Sequence, residues 1–229
     1  MKKAMSMIEL VFAIVIMGIV VMSLPLVLTQ VQNSNSFALR QEVILSIKSK
    51  LSYILAYQWD QNTYDTTADI ERVLNIPASA DTDTDFNTTT TRRKGHVVAD
   101  GRRRLGDDLT IIPTVKADFG ATKDANPNDD VDDYDGNSET KAITALDDFI
   151  FNVTLNTSVN YLRDTLLIGD YQTSNEITFT FNPDNITNHS TNIKMISVTA
   201  TANGIENPMS MYAFSSNIGQ SKVAKKTWQ

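Results

Sequence analysis

From Leu10 to Leu28 the chain carries no charged residue and is built almost throughout from Val, Ile, Leu, Met and Phe. About 20 such residues in a helix cross the hydrocarbon core of a bilayer, so this run predicts a membrane-spanning helix. Lys2 and Lys3 precede it and no charge follows until Arg40, which places the N-terminus in the cytoplasm and the bulk of the chain outside. A secretory signal peptide shares the basic start and apolar core, and so does a simple uncleaved anchor. Glu9 separates these readings. A carboxylate carried to the bilayer centre costs roughly 2.5–3.5 kcal/mol, and neither secretion nor anchoring needs one. No small-x-small cleavage pattern follows the run either, where Ser23, Leu24, Pro25 and Leu26 stand.

A chain of 229 residues has room for one sizeable folded unit beside a long helix. Its net charge of −7 argues against a nucleic-acid partner, which requires a positive surface to displace counterions from phosphates. Two short basic clusters, Arg92-Arg93-Lys94 and Arg102-Arg103-Arg104, read either as a local positive patch or as solvated loop charges. With no cysteine, disulfides, thiolate catalysis and a Cys-ligated zinc are excluded. His96 and His189 are the two histidines, and no phosphate loop, dinucleotide fingerprint, Gly-x-Ser-x-Gly or zinc-protease helix occurs. An enzyme is not expected. Asn-x-Ser/Thr triplets at Asn87, Asn152 and Asn185 fit an exported surface, with the unmodified state as the default reading.

Beyond Leu28 the residues turn polar and then apolar at helical spacing, with Phe37, Ile44, Ile47, Leu51, Ile54 and Leu55 predicting an amphipathic continuation. One helix from about Met7 to Trp59 would be on the order of 75–80 Å long. A break at Asn33 to Ser36, giving a second short helix, is the alternative. Residues 60–147 are rich in Asp, Thr and Arg and predict an irregular region. Residues 148–216 predict an antiparallel sheet. Phe149, Phe151, Val153 and Leu155 alternate with Ile150, Asn152 and Thr154, Ile177, Phe179 and Phe181 with Thr178 and Thr180, and Ile196, Val198 and Ala200 with Ser197 and Thr199, which predicts half-buried strands. Asn203-Gly204 predicts the turn into a strand around Met209 to Phe214. The whole is α+β: a long N-terminal helix whose amphipathic half covers one face of the sheet, with residues 217–229 as a tail.

The most concentrated set of hard oxygen ligands is Asp130, Asp132, Asp133, Asp135, Asn137 and Glu139, around Gly136. Such a set suits Ca²⁺, the one candidate cofactor. EF-hand spacing fails, because Val131 takes the first ligand place and Ala142 the last. A solvated acidic loop is the competing reading.

Met5-Ser6-Met7-Ile8-Glu9-Leu10, preceded by Lys2-Lys3-Ala4, resembles the N-terminal signal of type IV prepilins and type II secretion pseudopilins. The family pattern is a short basic leader, a small residue before the cut, a hydrophobic residue after it, and Glu at the fifth mature position. The resemblance implies a leader of residues 1–4, cleavage between Ala4 and Met5 by a prepilin peptidase, N-methylation of Met5, a membrane and filament-core helix over residues 5–28, and a stem continuing over residues 29–59. Ala4 stands where Gly is usual and Met5 where Phe is usual. Glu9 would pair with the α-amino group of a neighbouring subunit's Met5. Gly18 and Pro25 would mark where the helix loosens on assembly, Pro25 one residue earlier than usual. Asp132-Asp133-Tyr134-Asp135-Gly136 is similar to a segment of minor pilins of the mannose-sensitive haemagglutinin type. The implied fold is pilin-like. The implied partners are other pilin or pseudopilin subunits, the prepilin peptidase and an inner-membrane assembly platform. The implied location is the inner membrane, then a pilus or periplasmic pseudopilus. A minor pilin, a pseudopilin of a type II secretion machine and a membrane-anchored binding domain are the three functions in play.

Overall fold

The computed structural model describes residues 7–65, 70–74, 76, 111–121, 127–142, 152–163, 168, 176, 178 and 182–219. Ala4, Met5, both basic clusters, His96, Asn87, Phe149, Phe151, Ile177, Phe179 and Phe181 lie outside them.

Helix α1 spans Met7–Ile54, 48 residues without a break, or about 72 Å at about 1.5 Å per residue. The polar stretch Asn33 to Ser36 stays helical, so the two-helix alternative does not hold. Pro25 lies inside α1 and cannot donate to the carbonyl four residues earlier. Nearby hydroxyls bond back to the same helix, Ser23 Oγ to the Val20 carbonyl at 2.8 Å and Thr29 Oγ1 to the Pro25 carbonyl at 2.9 Å. The helix ends five residues before Trp59, the expected end. Its last turn tightens, with the Tyr57 amide donating to the Ile54 carbonyl at 3.1 Å. Trp59 is instead drawn into the core, and its indole N–H donates to the Ser215 carbonyl at 3.2 Å.

Val43, Ile47, Leu51 and Ile54 are the buried residues of α1. Their spacing of four, four and three puts them on one stripe. The expected stripe was offset: Ile47, Leu51 and Ile54 belong to it, Val43 replaces Ile44, and Phe37 is 62% exposed.

The sheet is antiparallel. Its strands are β3 (Ser138–Lys141), β4 (Val153–Leu162), β6 (Ile193–Ala202) and β7 (Met209–Ser216), in the order β3-β4-β6-β7, with β5 (Ile186–Thr187) beside the far end of β4. A separate two-stranded ribbon pairs β1 (Tyr64–Asp65) with β2 (Ile70–Glu71). In the β4–β6 ladder Leu155 faces Ala200 and Val159 faces Ile196. These residues and Val153 and Val198 form the sheet's buried face, where each fully buried aliphatic side chain contributes roughly 1.5–3 kcal/mol. The α1 stripe packs on it, and α1 contacts β6 and β7. Gly204 has φ +91, a conformation that favours glycine, and makes the expected β6–β7 turn. The sheet begins earlier than expected. Edge strand β3, Ser-Glu-Thr-Lys, falls within the stretch read as irregular because it has no apolar residue to alternate. Asn152 sits just before β4 rather than inside a strand.

Candidate functional site

Two features of the described chain stand apart from ordinary packing, the bare half of α1 and the acidic segment after Asn128.

Residues 7–35 of α1 are exposed on every side. Met7, Ile8, Leu10, Val11, Phe12 and Ile14 lead a run of large apolar side chains left uncovered as far as Val31. This is the one described helix long and apolar enough to cross a membrane. Glu9 sits in its first turn, where a carboxylate is also favoured by the helix dipole. Gly18 opens onto free space, with nothing within 4 Å of where a Cβ would stand, and Pro25 lies a further two turns along the helix.

The first part of the acidic segment, Asp130 to Tyr134, is buried rather than solvated, while Asp135, Asn137 and Glu139 are half-buried. Asp130, Asp132, Asp133 and Tyr134 are all buried and Val131 lies in the main core. Burial of carboxylates demands partners, and the loop supplies many from its own backbone. Asp130 Oδ1 accepts from the amides of Asp132 at 2.9 Å and Asp133 at 3.2 Å, and its Oδ2 accepts from the Gln61 amide at 2.6 Å. Asp133 Oδ2 accepts from the Asp129 amide at 2.9 Å. Gly136, at φ +73, turns the chain so that its amide donates to the Thr157 carbonyl at 3.1 Å on β4. Even with three amides pointing at it, Asp130 is pushed up to about 9 by burial and next by the Asp132 carboxylate.

Lysines hold the remaining members. Asp135 binds Lys116 Nζ at 2.7 Å with Oδ2 and the Val159 amide at 2.8 Å with Oδ1. Asn137 Oδ1 and Glu139 Oε2 both accept from Lys50 Nζ, at 3.1 and 2.9 Å. Asp132 Oδ1 accepts from Lys194 Nζ. The six residues singled out as calcium ligands therefore do not converge. Asp130 and Asp133, together with Asp129, bring one carboxylate oxygen each within 4.8 Å of one another, and this triplet is the part of the segment with the spacing of a cation site.

Lys194 is the residue that sequence reasoning missed. Its side chain is 0% exposed on the helix-facing side of β6, in register with Tyr161 of β4. All three ammonium protons have acceptors: the Trp59 carbonyl at 2.8 Å, Asp60 Oδ2 at 3.0 Å and Asp132 Oδ1. The rings of Trp59, Phe119 and Tyr161 surround it, Trp59 with its centroid 4.3 Å from Nζ. Asp60 is as deeply buried and is satisfied in turn by the Asn62 amide at 3.0 Å and the Thr114 amide at 2.8 Å. Burial is the strongest single influence on the Lys194 pKa and works to lower it, but Asp60, Tyr161, Asp132 and Asp130 together outweigh it and hold the group above the usual lysine range. Burial, and then the Asp60 carboxylate, raise Asp132 despite the ammonium beside it. One ammonium thus ties together the segment that follows the helix, the acidic segment and the inner strand β6 of the sheet. The signal for it was a lone lysine inside Ile193-Lys194-Met195-Ile196.

Comparison with protein-family models, with curated proteins and with solved structures returns no match.

Proposed function

We propose that this chain is a type IV pilin-like filament subunit, a minor pilin, cut between Ala4 and Met5 by a prepilin peptidase and methylated on Met5. The observation that carries the reading is the division of labour along α1. Its C-terminal part spends the Val43, Ile47, Leu51 and Ile54 stripe on the sheet, while residues 7–35 bury nothing. Residues 7–28 rise about 33 Å at about 1.5 Å per residue, against a hydrocarbon core of roughly 30 Å. So large an uncovered apolar surface is not stable in water. It has a home in lipid before assembly and among the stems of neighbouring subunits afterwards. Glu9 near its start fits the second home better than the first, and the prepilin-like pattern around Ala4, Met5 and Glu9 adds independent support. In the membrane the sheet lies on the periplasmic side, and the partners are other subunits, the peptidase and the inner-membrane assembly platform.

Shearing of producing cells tests this. The chain is expected, at low copy, in the sheared surface filaments of the wild type and absent from that fraction when the assembly platform is deleted. Recovery from the membrane fraction alone in both strains would contradict it.

A further inference from the structure

Lys194 is a primary amine with no exposed surface, and its Nζ touches two carboxylates, Asp60 at 3.0 Å and Asp132 closer still. The two acids are held differently. Asp60 is pinned by the amides of Asn62 and Thr114 and by the Thr114 hydroxyl at 3.3 Å. Among the described residues no amide donates to the Asp132 carboxyl, whose partners are Lys194 Nζ and the Asp130 side chain. The rings of Trp59, Phe119 and Tyr161 close the space around Nζ, and the side chains of Asp60 and Asp132 are 0% and 4% exposed. In water an amine and a carboxylic acid do not condense, because both are ionised near neutral pH and water is in excess. Here burial penalises both charges and the ring wall keeps bulk water out. Fixed contact replaces a chance encounter, an advantage that in well-oriented pairs reaches about 10⁵–10⁸ M.

We propose that Lys194 and Asp132 join in an intramolecular amide, a covalent tie between β6 and the acidic segment. The ion pair in the structure is its reactant state. Nζ passes one proton to Asp132 across their hydrogen bond, which leaves an amine and a carboxylic acid. The amine lone pair adds to the Asp132 carboxyl carbon, and the C–N bond forms. Asp60 takes a second proton from the nitrogen and returns it to the departing hydroxyl, which leaves as water when the C–O bond breaks. The third proton stays on the amide nitrogen, with the Trp59 carbonyl as its acceptor. Nothing is oxidised or reduced. Asp130, hydrogen-bonded to Asp132, stabilises the charge that develops on the oxygen of the attacked carboxyl. The product removes two buried charges and closes a loop across 62 residues of chain. This bond does not depend on the filament reading.

Mass spectrometry of the full chain, purified in detergent and then denatured, tests it. The wild type is expected to weigh one water less than the sequence counted from its own N-terminus, and trypsin to release a branched peptide that carries both Asp132 and Lys194. Lys194→Met and Asp132→Ala keep the full mass, and this readout holds whether or not they fold. Asp132 and Lys194 on separate linear peptides in the wild type, a branch to Asp60 instead, or the same loss of water in Lys194→Met would overturn the proposal.

Discussion

Lys194→Met is expected to destabilise the fold by about 3–5 kcal/mol, the cost of removing one partner from a buried ion cluster. Methionine keeps the length and apolar stem of lysine, so packing against Trp59, Phe119 and Tyr161 is largely conserved, and what goes is the charge and its three protons. Asp60 and Asp132 then face each other inside a wall of aromatic rings with no cation between them, and the Trp59 carbonyl loses its donor. Asp60 retains its Asn62 and Thr114 amides, which cover part of the deficit and set the lower end of the range. Denaturant unfolding of the full chain in detergent, followed by tryptophan fluorescence, reads the loss directly because Trp59 is one of the ring walls. Lys48→Met, at an exposed site on α1, serves as the control and is expected to stay within about 0.5 kcal/mol of wild type. A Lys194→Met loss below about 1 kcal/mol would show that the cluster does not hold the three segments together.

The second large effect is on assembly. Glu9→Ala is expected to leave the protein in the membrane and to reduce its incorporation into filaments by about a hundredfold or more. In lipid the substitution removes an unfavourable carboxylate, so insertion does not suffer. In a filament core it leaves the α-amino group of a neighbouring Met5 buried without its counter-charge, at a cost of about 3–5 kcal/mol, and about 1.4 kcal/mol is tenfold. A helix-dipole role alone would give a weaker outcome, because a first-turn carboxylate contributes about 0.3–1 kcal/mol. Sheared filaments and membranes from the same cells separate the two, and wild-type incorporation of Glu9→Ala would remove the assembly role.

What could be read in the sequence followed local periodicity and turn chemistry. The uncharged run from Leu10, the Ile196, Val198 and Ala200 alternation and the Asn203-Gly204 turn each fix an element from neighbours a few residues apart, and α1, β6 and β7 lie where these signals put them. The acidic segment shows the opposite case. Its composition looks like a solvated loop, yet Asp132 is buried against Lys194, 62 residues away, which also holds Asp60, 134 residues away, and nothing local announces that pairing. Edge strand β3 escaped for a related reason, since Ser138 to Lys141 pair through their backbone with Val153 to Asn156 while their side chains carry no apolar pattern. The end of α1 was placed too late because the apolar residues after Ile54 continue in sequence, whereas Trp59 turns inward to the core beside Lys194.

The central claim is that the bare half of α1 is the processed stem of a filament subunit, and the mass of the N-terminus tests it most directly. Protein purified from cells with and without a prepilin peptidase should differ by the residues Met1 to Ala4, and the wild-type chain should begin with methyl-Met5. An intact Met1 in wild-type cells would contradict the account.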